Sequence, residues 1–255
     1  MQTIDLNADL GEGFGPWSMG DDEAMLSLVT SANVACGGHA SDPETMFRTL
    51  EMARGRDVVV GAHPSYPDMA GFGRRRLTAT ADEISRFVAA QVGSLIAVAA
   101  LARHRVRYVK PHGALANVAA VERDVAVAIA QSIQAVDERL GILAIAGTAL
   151  ERAARELGLT VFREVYADRG YTADGLLVPR DQPGAIIHDP MEASDRLLRF
   201  LDSGMMTTVD GGQVALQADS ICVHGDNPSA VQMAQQIRRA LGAHGVTIQP
   251  FLRGA

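Results

Sequence analysis

The chain has 255 residues, of which 47% are hydrophobic and 21% charged. That is enough apolar material to bury a full core in one large domain spanning 1–255, and it excludes a disordered or fibrous chain. With 30 acidic residues against 23 basic ones, the net charge of -7 removes the broad basic field that drives phosphate-backbone binding, so no nucleic-acid partner is expected.

The N-terminus, Met1-Gln2-Thr3-Ile4-Asp5-Leu6, has no basic stretch before an apolar one and reads as no signal peptide. Short β-rich runs follow at 4–8, 33–36, 58–62, 106–109, 142–145, 160–164 and 220–223, separated by helical patterns. This alternation predicts βα units around a parallel sheet, open or closed. Helix starts are marked by a capping residue before proline at Asp42-Pro43, Asp189-Pro190 and Asn227-Pro228. Thr80 with Glu83 and Thr148 with Glu151 spell capping boxes, and after the first, Ile84, Phe87, Val88, Val92, Leu95 and Ile96 mark one buried helix face. The longest apolar stretch, 92–102, is interrupted by Gly93 and Ser94 and is too short to span a bilayer, so no membrane association is expected. Cys36 and Cys222 lie in separate apolar runs without C-x-x-C spacing and read as buried thiols of a reducing compartment, the cytoplasm.

Polar residues gather where the predicted strands end. Asn7, Asp9 and Glu12 follow the first strand, His39 and Asp42 the second, His63, Tyr66 and Asp68 the third, and Lys110 and His112 the fourth. Glu164, Asp168, Arg169 and Tyr171 follow the sixth, and His224, Asp226 and Asn227 the seventh. In a parallel sheet or barrel these ends open onto one face, where such folds place their chemistry. Asp42, Asp189 and Asn227 read as helix caps, and His104 and His244 as surface residues near helix ends. The run Arg74-Arg75-Arg76 reads equally as a solvated loop face or an anion clamp. Two long loops, 64–76 and 165–189, rim the expected cleft, and Tyr66, Phe72 and Tyr171 on them read as exposed anchors for a partner.

Four segments carry a resemblance. Leu6-Asn7-Ala8-Asp9-Leu10-Gly11-Glu12-Gly13-Phe14-Gly15, Ala32 through Asp42 (ANVACGGHASD), Gly61-Ala62-His63-Pro64-Ser65-Tyr66-Pro67-Asp68 and Val109-Lys110-Pro111-His112-Gly113-Ala114-Leu115 resemble the LamB/YcsF family. The resemblance continues through EVYADRGY at 164–171 and VHGDNP at 223–228. It implies an irregular (β/α) barrel of about seven parallel strands, a glycoside hydrolase/deacetylase-like TIM-barrel variant. It also implies ATP-dependent hydrolytic opening of 5-oxo-L-proline (pyroglutamate) to L-glutamate, with this chain as the A component of a 5-oxoprolinase that also needs B and C subunits.

Hydrolysing an unstrained lactam needs a base for water and a stabilised oxyanion. The expected catalytic set is Asp9 or Glu12 as base, His39 and His63 as proton carriers, and Lys110 with His112 for developing negative charge. The expected substrate-binding set is Asn7, Tyr66, Arg74, Glu164, Arg169, His224 and Asp226, with Arg169 or the Arg74-Arg75-Arg76 loop holding the substrate carboxylate. ATP, with Mg2+, is expected either on this chain without a phosphate loop or on a partner, since no G-x-x-x-x-G-K-[ST] occurs. Related deacetylase barrels carry a second acidic metal ligand directly after the first-strand aspartate, where Leu10 stands here. His39, His63, His112 and Asp9 offer mixed donors for zinc without an H-x-x-x-H pattern, so a tightly bound metal is left open. Two alternatives remain: a metal-dependent amide or acetyl hydrolase acting on a carbohydrate, and a non-catalytic lactam-binding subunit.

Overall fold

The computed structural model describes residues 2–224 and 229–252. Asp226 and the Asn227-Pro228 helix start lie outside the described residues.

In chain order the elements are β1 Thr3–Leu10, α1 Asp22–Leu26, β2 Ser31–Ala35, α2 Pro43–Arg54, β3 Val59–His63, α3 Ala81–Leu101, β4 Val106–Val109, α4 Gly113–Val121 and α5 Arg123–Val136. They continue with β5 Gly141–Ile145, α6 Ala149–Glu156, β6 Val161–Tyr166, α7 Pro190–Ser203, β7 Met205–Thr207, β8 Gln213–Ala215, β9 Ser220–Val223, α8 Ala230–Ala243 and β10 Thr247–Ile248. The parallel strands β1 to β6 and β9 pair in that order, and β9 returns to β1 with Asp5 opposite Ser220, so seven strands close a barrel. All seven expected strands are present. The sequence missed the antiparallel pair β7–β8 and the two-residue β10, which pairs in parallel alongside the start of β1.

Helix ends follow side-chain chemistry. Asp42 accepts from the backbone N–H groups of Glu44 and Thr45, Asp189 from Met191, and Thr80 with Glu83 forms the full capping box. The second box does not form. Thr148 instead donates to the Ile145 carbonyl at 2.7 Å, and Glu151 accepts from the Gly147 N–H at 2.8 Å, because Gly147 takes a left-handed turn there. Helix α3 is 21 residues long and apolar, enough by length and composition to cross a membrane. It packs against α5, α2, β3 and β4 as an outer-layer helix of the barrel, and buries Ile84, Val88, Val92 and Leu95 on the expected face.

The side chains of β1 divide by parity. Leu6, Ala8 and Leu10 join the apolar layer between barrel and helices, while Asp5, Asn7 and Asp9 make their contacts across the barrel interior. The other strands contribute Asn33, Tyr108, Lys110, Glu164, Tyr166, Ser220 and Cys222 to that interior, so the barrel is filled with polar groups rather than aliphatic layers. Gly61 makes this filling possible: a Cβ there would lie 2.3 Å from the Tyr108 ring. At the opposite end from the strand termini, Phe251 covers the interior by packing on Tyr108 and Phe162 at 5.0 and 4.4 Å between centroids.

Candidate active site

The C-terminal ends of β1, β3, β4, β6 and β9 carry the groups that meet. Asp9 Oδ1 accepts from Lys110 Nζ at 2.9 Å and from Asn33 Nδ2 at 2.9 Å, and its Oδ2 lies 3.3 Å from His63 Nε2. Lys110 Nζ also reaches Glu164 Oε2 at 3.1 Å, Asn7 Oδ1 at 3.3 Å and Cys222 Sγ at 3.1 Å. Tyr166 donates its hydroxyl to Glu164 Oε1 at 2.9 Å. One buried ammonium thus serves two buried carboxylates, with neutral donors filling the remaining lone pairs.

Burial alone would raise the Asp9 carboxyl, but His63 and then Lys110 outweigh it and hold Asp9 well below the usual carboxylate range. For Glu164 burial wins over Lys110 and the carboxyl is pushed up. Burial also disfavours the Lys110 ammonium, yet Asp9 foremost among its neighbours holds the proton more firmly than in an ordinary lysine.

Above this layer stand three histidines and Glu12. His39 Nε2 lies 3.0 Å from Glu12 Oε1, and its ring stacks flat on that of His112, with centroids 3.7 Å apart. His63 Nδ1 meets the Lys110 carbonyl at 2.6 Å, His112 Nε2 meets the Phe72 carbonyl at 3.0 Å, and His112 Nδ1 faces His63 Nε2 at 3.0 Å. Burial, followed by neighbouring histidines, pushes His39 and His112 well below the ordinary histidine value, so both are neutral. The loop 64–76 holds this group in place. Gly73, at φ +62°, passes so close that a Cβ would sit 2.8 Å from His39 Cβ and 2.9 Å from His112 Cδ2.

A cavity of about 400 Å³ opens beside these groups, within the size range of small-molecule sites. Of the expected residues, Asp9, His63, His112, Arg74, Arg169 and His224 line it. Asn7, Glu12, His39, Lys110 and Glu164 lie behind that wall, in contact with it. On the far side His224 Nδ1 donates to Asp168 at 2.8 Å, and its Nε2 accepts from Arg180 Nη2 at 2.8 Å, since a guanidinium only donates. Arg180, Asp168 and Tyr166 were absent from the expected set. Tyr166 was readable from β-strand parity with Glu164, two residues before it. Arg180 lies in an irregular loop where no periodicity marks it.

Several expectations are corrected by placement. Tyr66 does not face the cavity; its ring is buried against Phe87 under α3. Tyr171 is fully buried, its hydroxyl accepting from the Tyr166 N–H at 2.8 Å, so neither tyrosine is an exposed anchor. Arg75 is paired with Asp68 and Arg76 with Glu122, which leaves Arg74 as the member of that run lining the cavity. Arg169 spends Nε and Nη2 on the carbonyls of Ala185 and Val178 and so ties the loop 167–189 together. Exposed aromatic side chains at this end are Phe14 and Trp17, in the loop after β1.

For a metal, the deacetylase position is closed, because Leu10 points into the apolar layer. Glu12, His39, His63 and His112 nevertheless offer donor atoms that all lie within 4.8 Å of one another, and all four residues are buried.

Residues 4–254 match the LamB/YcsF family. The chain is 52% identical to the third of the numbered 5-oxoprolinase A subunits of Pseudomonas syringae pv. tomato, over 98% of each protein. It is 51% identical to the 5-oxoprolinase A subunit of Azorhizobium caulinodans, over 98% of this chain and 99% of that one. Among solved structures, a lactam utilization protein from Thermus thermophilus superposes with a TM-score of 0.91 at 40% identity, covering 97% of this chain and 99% of that one. The structure of a T48 deacetylase with substrate, at 13% identity and a TM-score of 0.50 over 98% of this chain and 88% of that one, shares the fold.

Proposed function

Because the chain belongs to the LamB/YcsF family, we propose that it is the A component of a 5-oxoprolinase and opens 5-oxo-L-proline by hydrolysis to L-glutamate. The observation that carries this reading is the cavity. One wall holds the Asp9–His63–His112 group, and the other presents Arg180, with Arg74 at the rim, for a substrate carboxylate. An acidic chain that takes an anionic substrate needs this local concentration of guanidinium groups.

In this reading a water between Asp9 Oδ2 and His63 Nε2 gives its proton to His63, and Asp9 stabilises the imidazolium that forms. The hydroxide adds to the lactam carbonyl carbon. The tetrahedral adduct then expels the ring nitrogen, which takes the proton from His63 and becomes the α-amino group of glutamate. Lys110 is a positioning residue here: its ammonium is spent beneath Asp9 and does not reach the cavity. His224, held by Asp168, accepts from Arg180 and fixes the arginine that meets the substrate.

Opening this stable lactam is coupled to ATP. The chain has no phosphate loop, so the nucleotide and its Mg2+ belong on the partner B and C subunits, and the ATP supply places the complex in the cytoplasm. Exposed Phe14 and Trp17, in the loop after β1, suit a partner contact. The test is glutamate release from 5-oxo-L-proline with ATP and Mg2+, measured for the chain alone and with its partners. The expected result is turnover only in the complete mixture, lost at least about 100-fold with Asp9→Asn. Steady turnover by the isolated chain would overturn the division of labour, and full activity of Asp9→Asn the assignment of the base pair.

A further inference from the structure

With both rings neutral, the donor and acceptor arrangement between His63 and His112 has no ordinary hydrogen-bond solution. A carbonyl oxygen only accepts, so the Lys110 carbonyl at 2.6 Å fixes a hydrogen on His63 Nδ1, and the Phe72 carbonyl at 3.0 Å fixes one on His112 Nε2. The nitrogens left over, His63 Nε2 and His112 Nδ1, each carry a lone pair, and they face each other at 3.0 Å. The rings are nearly perpendicular, at 84°, so the two lone pairs converge rather than slide past one another. Glu12 Oε1 stands 3.8 Å from His112 Nδ1 and adds a carboxylate oxygen to the same point.

From this we infer that Glu12, His63 and His112 bind a single divalent transition-metal ion of the zinc class, with its open coordination position on the cavity. Ligands on a tetrahedral ion with bonds of about 2.1 Å stand about 3.4 Å apart, close to the separations here. Both imidazoles pass their second N–H to a backbone carbonyl, which is the outer-shell support that metal-bound histidines ordinarily have. Two nitrogens and one oxygen select zinc, cobalt or nickel over magnesium or calcium. His63 and His112 line the cavity, whereas Glu12 does not, so the fourth position opens toward the cavity, as in catalytic rather than closed structural sites.

His39 is not a ligand in this arrangement. Its ring lies parallel to His112, at 4° and 3.7 Å, so its in-plane lone pair runs alongside that of His112 and does not converge with it. It is a positioning residue. Its Nε2 holds Glu12 Oε1 at 3.0 Å, while its buried Nδ1 has no hydrogen-bond partner among the described residues, so Glu12 is the polar group there that anchors it.

The site rests on the ring-opening reading and revises one step of it: an ion there would polarise the oxygen of a bound water or lactam carbonyl, and with His63 Nε2 as its ligand the proton of the water would pass to Asp9 and from Asp9 to the ring nitrogen. Its test is independent of turnover. The isolated chain is stripped with a chelator, dialysed and titrated with Zn2+ by calorimetry, and with Co2+ by visible absorption. One ion per chain is expected, with the intense ligand-field bands of low-coordinate Co2+. His63→Gln and His112→Gln should each weaken Zn2+ binding at least about 100-fold, and His39→Asn about 10- to 100-fold with the stoichiometry kept. Should a glutamine variant fail to fold, 15N-histidine spectra of the unmutated chain decide: Zn2+ must move the signals of His63 Nε2 and His112 Nδ1 and leave His104 unmoved. No uptake by the folded chain, or uptake undiminished in both glutamine variants, overturns the site and leaves a shared proton between the two rings. Neither result touches the ring-opening assay, and failure of that assay leaves metal binding standing.

Discussion

Asp5 and Asp9 stand four residues apart on the same face of β1, one at the floor of the barrel interior and one at its mouth, and both are buried. At the floor, Asp5 is surrounded by hydroxyls: Thr30 and Ser31 donate to Oδ1 at 2.7 and 2.6 Å, and Ser220 to Oδ2. Burial outweighs those three bonds, and the carboxyl is pushed up to about 6. At the mouth, Asp9 has His63 and Lys110 beside it and falls well below the ordinary range. Equal burial therefore gives opposite protonation behaviour, decided by whether the neighbours carry charge. The floor serves as a hydrogen-bonded plug that closes the barrel. The mouth is held ionised and ready for chemistry.

Removing the cation is the largest way to break this contrast. Lys110→Met leaves Asp9 and Glu164 buried with no ammonium, and a broken buried pair costs about 3–5 kcal/mol. In the native protein a depressed Asp9 adds stability above the unfolded-state value, and that stability is lost as pH falls through the folded value. With Lys110 gone, burial acts on Asp9 with one fewer opposing charge and its carboxyl rises. The deficit measured by urea unfolding should then be greatest at pH 8 and shrink toward pH 5. Adding Asp9→Asn to Lys110→Met should recover part of the loss, because one of the stranded charges is gone. A Lys110→Met protein as stable as the native one at pH 8 would mean that water, rather than the lysine, compensates these carboxylates.

The second test acts on the floor and has the opposite sign. Asp5 holds its proton more tightly folded than unfolded, so its contribution is most favourable below the ordinary value of 3.8 and declines as pH rises through about 6. The interval corresponds to about 3 kcal/mol. Asp5→Asn cannot ionise, so the stability difference between native protein and variant should fall by about that amount between pH 4 and 7. Parallel pH profiles of the two proteins in urea would show that the three hydroxyls compensate the charge in full.

Much of this was legible in the sequence, for definable reasons. The barrel strands are apolar runs bounded by turn residues. The site residues fall at strand ends, so a parallel topology suffices to bring Asp9, His63, Lys110, His112, Glu164 and His224 together before any side-chain geometry is known. Side-chain direction within irregular loops was not legible. Tyr66 and Tyr171 are aromatic residues in long loops, which a sequence presents as exposed anchors, yet both are buried, Tyr66 against Phe87 of α3 and Tyr171 with its hydroxyl on the Tyr166 N–H. Arg180 escaped because its role depends on where the loop 167–189 lies over β9. Thr148 and Glu151 have the spacing of a capping box, but the left-handed turn at Gly147 redirects both side chains.

The smallest test uses a third carboxylate, Asp42, as a reference for the other two. It sits at the N-terminus of α2 with little burial and no cation among its hydrogen-bond partners. Its carboxyl is nevertheless lowered, first by the Gly15 N–H at 2.6 Å and then by bonds from Thr45 and Glu44. Backbone N–H groups and the Thr45 hydroxyl therefore achieve in solvent what needs His63 and Lys110 in the barrel. A lost helix cap costs about 1 kcal/mol. Asp42 also anchors the loop after β1 through Gly15, so Asp42→Ala should cost between about 1 and 2 kcal/mol at pH 7. Because a lowered carboxyl contributes above its unfolded-state value and loses that contribution as pH falls through the folded one, the cost should diminish toward pH 3. Asp42→Asn keeps an acceptor oxygen for the cap without the charge, and its loss should be smaller than that of alanine at pH 7 and converge with the native protein in acid. Equal losses for the two variants at pH 7 would assign the effect to charge at the helix end rather than to the hydrogen bonds.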